Sequence, residues 1–266
     1  MDSIWLSHGG RLESSVFLGA LFAFAVLETF RPLRASMLST TRRWLNHGFL
    51  LALNTGLNVV LFRGGAVVFS GFVSASGYGL LNHFASPYAA RFVIGFAAVD
   101  LVHYASHCVY HRIPWLWRIH RVHHADSDFD VTTGFRFHPA EALLTQSVNF
   151  ALIALLGPPP LAVLAAETAT LFQDVFEHAN IEVPARLDRF LRMFLTTPNM
   201  HRIHHSVLVA EQSRNFGTIL PWWDRLFGTY AQQPSVGLKE METGLEGYPK
   251  DQSASVRRTL AMPFNA

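Results

Sequence analysis

Eight of the chain's 14 histidines fall into three short clusters whose spacing suits metal binding. Positions i, i+3 and i+4 share one face of a helix, so each cluster would aim two or three imidazole rings at a common point. Eight ring nitrogens brought together without metal would lack partners, and like-charge repulsion would oppose their joint protonation. The pattern therefore predicts helices that surround metal ions. The clusters are His107-x-x-x-His111, His120-x-x-His123-His124 and His201-x-x-His204-His205.

The types of ligand narrow the choice of metal only in part. Structural zinc usually takes four ligands that include cysteine, whereas this chain has one cysteine, Cys108. Magnesium and calcium prefer oxygen ligands. Imidazole suits zinc, copper, nickel and iron alike, so ligand type leaves these metals open. Eight or more nitrogens imply two metal ions with roughly four or five protein ligands each, and a redox use of the site favours iron.

Apolar segments must position these clusters. The chain is 50% hydrophobic and 15% charged, and residues 15–30, 44–62 and 64–81 together carry one charged side chain, Glu28. These lengths approach the roughly 20 residues that cross a bilayer. A fourth run, residues 92–102, leads into the first histidine cluster. We expect an all-α integral membrane bundle with about four spans or re-entrant helices and a cytosolic helical cap that holds a di-metal site. The alternative is a soluble all-α protein with unusually buried helices.

The same segments divide the chain. We expect N-terminal membrane helices in residues 1–102, a catalytic region in 103–232 and a C-terminal tail in 233–266. Residues 142–172 are apolar on both sides of Gly157-Pro158-Pro159-Pro160, which must interrupt a helix, so a re-entrant hairpin is expected there.

Charge indicates the orientation and excludes one class of partner. Arg31, Arg34, Arg42 and Arg43 lie between the first two apolar runs, which places that loop, the histidine region and the C-terminus on the cytoplasmic side of a multi-pass protein. The first run lacks the pattern of a cleavable signal and is expected to remain as an anchor. A net charge of +2 without a basic patch argues against nucleic acid as a partner.

Several motifs, taken together, resemble the fatty acid hydroxylase/sterol desaturase superfamily. The resemblance runs in order from about Glu28 to Tyr230. The motifs are Asp100-x-x-x-Tyr104-x-x-His107-x-x-x-His111, Trp117-Arg-Ile-His120-Arg-Val-His123-His124, Arg136-Phe-His138-Pro-Ala-Glu141, His178-Ala-Asn180, Pro198-Asn-Met-His201-Arg-Ile-His204-His205, Asn215-Phe-Gly217 and Trp223-Asp-Arg-Leu-Phe-Gly-Thr-Tyr230.

The resemblance implies a di-iron centre that uses O2 to hydroxylate or desaturate a lipid. Iron would be the cofactor, and electrons would come from an external NAD(P)H-linked donor, cytochrome b5-like or ferredoxin-like, because no such segment occurs in the sequence. The metal ligands implied by motif position are His107, His111, His120, His123, His124, His178, His201, His204 and His205.

The chain departs from the family pattern in the first histidine box. The box usually reads His-Arg-x-x-His, whereas Cys108 stands here in place of the arginine. His103 forms a second His-x-x-x-His with His107 and would lie on the same helix face, where it could compete as a ligand. We favour a structural role for His103.

Other polar residues are expected to support the ligands. His138 precedes Pro139 and a helix whose first turn includes Glu141. For His138 we favour a hydrogen bond to a ligand over direct ligation, and we expect Glu141 to support a ligand as well. Asp100 and Tyr104 are expected to orient ligands, although Asp100 could instead be a cap or an ion-pair partner. The aromatic segment 215–230 fits either a lid at the membrane interface or plain packing, with Asp224 paired to an arginine.

The function favoured by the sequence is a membrane-bound oxygenase that hydroxylates a lipid such as a fatty acyl chain or a sterol. Desaturation would need the same site and differs in how the substrate is held. One rival is a membrane zinc hydrolase with Glu177 or Glu141 as the base. Another is a metal-binding membrane protein without chemistry, but transport predicts polar ligands inside the apolar runs, which contain few.

Overall fold

The computed structural model describes residues 2–249 and 255–265, and within them the chain is all-helical, as predicted. Short 3-10 turns lie at Leu80–Asn82, Thr133–Phe135 and Met262–Phe264. The helices are α1 Asp2–Phe30, α2 Thr40–Leu61, α3 Gly65–Ala75, α4 Tyr88–Arg112, α5 Pro114–His124, α6 Pro139–Leu156, α7 Pro160–Glu177, α8 Ala185–Leu191, α9 Pro198–His204, α10 Val209–Gln212, α11 Trp222–Leu226 and α12 Val256–Ala261.

Four segments of the described chain are long and apolar enough to cross a membrane, which agrees with the expected number. They are His8–Phe30, Thr40–Asn82, Tyr88–Arg112 and Pro139–Leu156. The second segment is broken after α2 at Gly64 and Gly65. Their φ angles of 84° and 70° lie in the left-handed region, which glycine adopts more readily than other residues. At 1.5 Å per residue, α2 is long enough to span a bilayer, whereas α3 reaches about half-way.

The interruption predicted at residues 157–160 separates two full helices. Gly157 ends α6 with φ 66°, and a Cβ there would lie 2.5 Å from Asn82 Nδ2, so the turn requires glycine. Pro160 begins α7, where its missing N–H costs no hydrogen bond. The helices begin at Pro139 and end at Glu177, and so extend beyond the expected 142–172 hairpin at both ends.

Helix α7 lies at the centre of the bundle and packs against α1, α3 and α4. Phe24 of α1 contacts Phe172 and Phe176 of α7, with ring centroids 5.9 and 5.2 Å apart. On another side, Ala66 and Val73 of α3 share a core with Val163. This packing fixes the end of α7, and therefore the residues that follow it, deep inside the molecule.

A buried ionic network joins the start of α2 and the loop before it to the loop after α5. Arg43 is fully buried and donates to Asp126 and Asp130 at 2.6 Å each. The Met37 and Leu38 N–H groups donate to Asp128. The arginine-containing loop and the second histidine cluster therefore lie at the same end of the bundle. Arg43 therefore stabilises the fold, in addition to any contribution that it makes to the orientation of the protein in the membrane.

Candidate metal centre

Four helices deliver histidines to one region. His107 and His111 lie in the last turns of α4, and the second cluster occupies the end of α5, which Pro114 begins directly after α4. The third cluster is formed by α9, where the Thr197 hydroxyl caps the helix at Met200 N and donates to Asp188 at 2.6 Å. His178 directly follows α7. Short helices with fixed starts thus aim the rings.

The nine histidines that the sequence suggested as ligands come together in two groups. Within each group, one ring nitrogen from every histidine lies within 4.8 Å of all the others. We call them the five-histidine group and the four-histidine group. The five-histidine group is His107, His111, His120, His124 and His204, and the four-histidine group is His123, His178, His201 and His205.

The spacing inside each group fits ligands that share one ion. In the five-histidine group, His124 Nε2 lies 3.1 Å from His111 Nε2 and 3.2 Å from His120 Nε2. In the four-histidine group, His201 Nε2 lies 3.1 Å from His178 Nε2 and 3.2 Å from His205 Nε2. Metal–nitrogen bonds of about 2.0–2.1 Å place neighbouring nitrogens about 3.0–3.4 Å apart. The donor set therefore fits a metal ion in each group.

Hydrogen bonds on the far side of the rings set the tautomers. A carbonyl only accepts, so the Nδ1 of His107 and of His204 must each donate, to Phe216 O at 2.9 Å and Arg214 O at 2.7 Å. Their Nε2 lone pairs then face into the five-histidine group, and both Nε2 atoms are buried without a hydrogen-bond partner among the described residues. A buried lone pair of this kind is costly unless a cation accepts it.

The same arrangement holds for two more rings. Glu141 accepts from His120 Nδ1 at 2.6 Å, and the Asp174 carbonyl accepts from His178 Nδ1 at 2.7 Å. Such partners fix the ring and raise the basicity of the ligand nitrogen. Glu141 thus has the contact that the sequence suggested.

Burial keeps the imidazole rings neutral in those histidines of the two groups that lie outside the candidate membrane-spanning segments. Burial first, and then the neighbouring histidines, lower the pKa of His123, His124, His201 and His205 well below its usual range. Burial also lowers the pKa of His178 to about 4. Neutral imidazole is the form that binds metal, so the site is ready for ligation at neutral pH.

Asp100 and Tyr104 do not orient histidines directly, and that expectation was wrong. Among the described residues, Asp100 accepts from Ile219 N, Leu220 N and Trp223 Nε1 at 2.8–3.2 Å. Tyr104 hydrogen-bonds to Thr229 at 2.9 Å. Both residues instead fasten the segment 215–230 to α4.

This segment is packed, and it supplies a carbonyl to the site. Asp224 accepts from Phe216 N and Gly217 N at 2.8 Å each, because the loop turns its own N–H groups toward the carboxylate. Within the described part of the chain it accepts from no arginine, which was the pairing expected if the segment were plain packing. The result is that Phe216 O reaches His107. Cys108 is buried in the same cluster, against Tyr104 and Phe216.

The contacts of His138 also correct an expectation. Its Nδ1 accepts from Ala140 N at 3.1 Å, and its Nε2 donates to Leu260 O at 3.3 Å. The residue caps α6, and both of its ring nitrogens are engaged by backbone groups and not by a ligand. His103 is held by Asn149 Nδ2 at 3.1 Å, which agrees with a structural role.

A cavity of about 190 Å³ adjoins both groups. Asp174 and Glu177 line it beside histidines of each group. The sequence suggested Glu177 only as the base of the rival hydrolase, and it suggested no role for Asp174. Burial raises the pKa of Asp174 to about 8, and burial followed by the charge of Asp174 raises that of Glu177 well above its usual range. Their only signal in the sequence is position: Asp174 precedes His178 by one helical turn, and Glu177 precedes it directly.

Comparison with known proteins adds a family and several relatives. A family described as Fatty acid hydroxylase matches residues 92–229, which contain every histidine of both groups. The chain is 31% identical over 148 residues to ornithine lipid hydroxylase OlsE of Rhizobium tropici, a match that covers 56% of this chain and 44% of that protein.

Two further relatives have other named activities. Alkylglycerol monooxygenase of Homo sapiens is 29% identical over 51% of this chain and 29% of its own length. Methylsterol monooxygenase 1 of Rattus norvegicus is 28% identical over 50% of this chain and 44% of its own. The matches thus span less than half of each relative. No solved structure matches the chain.

Proposed function

Because the chain belongs to the fatty acid hydroxylase family, we propose that it is a membrane-bound, O2-dependent oxygenase that hydroxylates a lipid. The observation that carries this proposal is the pair of buried imidazole groups beside one cavity. Two adjacent sites rich in neutral nitrogen ligands suit a redox-active metal pair, and apolar helices surround them on the membrane side.

The proposed cofactor is two iron ions, one held by the five-histidine group and one by the four-histidine group. When bound, the iron pair would supply the power to activate O2 and to oxidise an unactivated C–H bond. Burial would keep the imidazoles neutral. Four of them would be aimed inward by the acceptors Phe216 O, Arg214 O, Glu141 and Asp174 O. Burial of the rings would keep water away from the oxidising chemistry.

The lining of the cavity favours an amphiphilic substrate. The polar side chains of Thr145, Gln146 and Thr170 line it together with Phe137 and Ala142. The relatives are named for ornithine lipids, alkylglycerols and methylsterols, which are all lipids with a polar group. We propose that the lipid carbon to be oxidised lies near such a polar group.

The electron donor is proposed to approach from the end of the bundle that carries the loop 31–43. Arg43 and the residues after α5 lie together there, so the donor side and the metal centre share one face of the membrane. We propose that this face is cytoplasmic and that the donor is a separate cytochrome b5-like or ferredoxin-like protein.

Lipid mass spectrometry tests the proposed reaction. Membranes from cells that express the chain should contain a lipid that has gained one oxygen, and fragmentation should place that oxygen near the polar group. The matched control is His204→Ala, which removes one Nε2 lone pair from the five-histidine group. Loss of two hydrogens would instead identify a desaturase. Release of free acids from esters would support the zinc hydrolase and overturn the proposal.

A further inference from the structure

The two histidine groups are unequal in number, and one carboxylate stands beside the smaller group. Glu177 is the last residue of α7, and its Oε1 lies 3.7 Å from His201 Nε2 and 4.0 Å from His178 Nδ1. We propose that the Glu177 carboxylate is the fifth protein ligand of the metal ion in the four-histidine group. This inference rests on the metal centre proposed above.

The observed distance suits a shared ion. With bonds of about 2.1 Å, two ligand atoms on one metal lie from about 3.0 Å apart when adjacent to about 4.2 Å when opposite. The 3.7 Å between Glu177 Oε1 and His201 Nε2 falls inside that interval. Glu177 also lines the cavity. Its carboxylate lies outside the set of ligand atoms that are within 4.8 Å of one another, so ligation requires the side chain to move toward the four-histidine group.

In the part of the chain that the structure describes, Glu177 has no other partner that explains its burial. The side chain is 2% exposed, and Oε2 is buried without a hydrogen-bond partner among the described residues. The ion pairs found in the described chain pair Glu177 with histidines only, and not with lysine or arginine. Burying a carboxylate in this way is costly unless a cation balances it. A divalent ion held by four neutral imidazoles is that cation.

The other acid at the site has a different role. Glu141 Oε1 is committed to His120 Nδ1 at 2.6 Å, behind a ligand. Glu177 is not needed behind His178, because His178 Nδ1 already donates to the Asp174 carbonyl at 2.7 Å. The two metal sites would therefore differ in charge, with five neutral nitrogens at one and four nitrogens and an anionic oxygen at the other.

Metal retention tests the assignment. Purified wild-type protein and Glu177→Gln are loaded with Fe(II) without oxygen and then exposed to a chelator, with Glu167→Gln as the control, since Glu167 is an acid of the same helix that does not line the cavity. We expect Glu177→Gln to lose one of its two ions more than about 100-fold faster, beyond the range for a hydrogen-bond partner of a ligand. Glu167→Gln should lose iron at the wild-type rate. Wild-type retention in Glu177→Gln overturns the inference, whereas a wild type that binds no metal overturns the proposed function.

Thermal unfolding separates ligation from a structural role. Without metal, Glu177→Gln removes a buried acid that has no partner, so its melting temperature should equal or exceed that of the wild type. With iron, the variant should melt below the wild type, because binding to the native state stabilises it less. A drop of the same size with and without metal would mean that Glu177 acts through packing, and would contradict ligation.

Discussion

At the residue scale, four of the nine imidazoles are oriented by a group that accepts a hydrogen bond from Nδ1, on the side of the ring away from the group. These four belong to His107, His120, His178 and His204. The sequence predicted which histidines converge, because helix periodicity places i, i+3 and i+4 on one face. It did not predict the groups behind them, since three of these are backbone carbonyls, of Phe216, Arg214 and Asp174, that carry no side-chain signature. Asp100 was misassigned for the same reason, because its partners are backbone N–H groups distant in sequence.

The contrast between Glu141 and His138 gives a prediction at this scale. Glu141→Gln weakens the hydrogen bond to His120 Nδ1, and we expect metal affinity to fall about 10–100-fold. His138→Gln should keep metal affinity at the wild-type value and lose about 0.5–2 kcal/mol of stability, because it disturbs only a helix cap. Metal titration and thermal unfolding of both variants measure these effects. Loss of metal from His138→Gln would restore its assignment as a partner of the ligands.

The lowered histidine pKa values predict a pH dependence of the metal-free protein. The unfolded chain takes up protons near the ordinary histidine value of about 6.5, whereas the folded rings do so much lower, with the pKa of His178 at about 4. Stability from these groups is therefore complete above pH about 6.5 and is lost as pH falls toward 4. Melting temperatures measured from pH 8 to pH 4.5 should fall steeply at the acid end. A flat profile would contradict neutral buried rings.

At the scale of elements, short helices position the ligands and one irregular segment holds them from outside. The apolar runs predicted the long helices because a bilayer sets their length. The aromatic residues of segment 215–230 suit a lid and packing equally, so the sequence does not separate the two. The contacts of the segment with Asp100 and Tyr104 of α4, and with Met200 O of α9, identify it as a clamp on both helices. Only tertiary structure could reveal that.

Removing one anchor of this clamp should loosen it. Asp100→Ala leaves the Ile219 and Leu220 N–H groups and the Trp223 indole without their acceptor. We expect a loss of about 1–3 kcal/mol and faster proteolysis within 215–230. Glu182→Ala is the control, because its pairing with Lys239 is exposed and should contribute under about 1 kcal/mol. Equal effects of the two changes would contradict the clamp.

At the scale of the whole molecule, α7 runs through the bundle and ends at the metal centre, and the arginine-containing loop lies at the same end. The sequence predicted this loop from its positive charge. It could not predict that Arg43 is buried between Asp126 and Asp130, because the carboxylates are more than 80 residues away in the chain. This ion pair supports the inference that the arginine-containing loop and the metal centre lie on the same side of the membrane. Because Arg43 is neutralised by carboxylates, fewer unpaired positive charges remain in the loop to set the orientation of the protein in the membrane.

Cysteine labelling tests that orientation. In a Cys108→Ser background, an added cysteine at Ser36 is exposed near the metal end, and one at Ala85 is exposed before α4, at the opposite end. A membrane-impermeant thiol reagent should label the Ala85 position in intact cells and the Ser36 position only after lysis. The reverse pattern would place the metal centre outside the cytoplasm and exclude cytosolic electron donors.

We propose that two metal ions are held, one by each group of imidazoles. Elemental analysis of detergent-purified protein, loaded with iron, measures this occupancy when wild type, His178→Ala and His83→Ala are compared. His178 belongs to the four-histidine group, whereas His83 is exposed and belongs to neither group. We expect about two iron ions per chain in the wild type and in His83→Ala, and about one in His178→Ala. A wild type with one ion or none, or a His178→Ala protein that keeps both, would overturn the proposed two-metal centre.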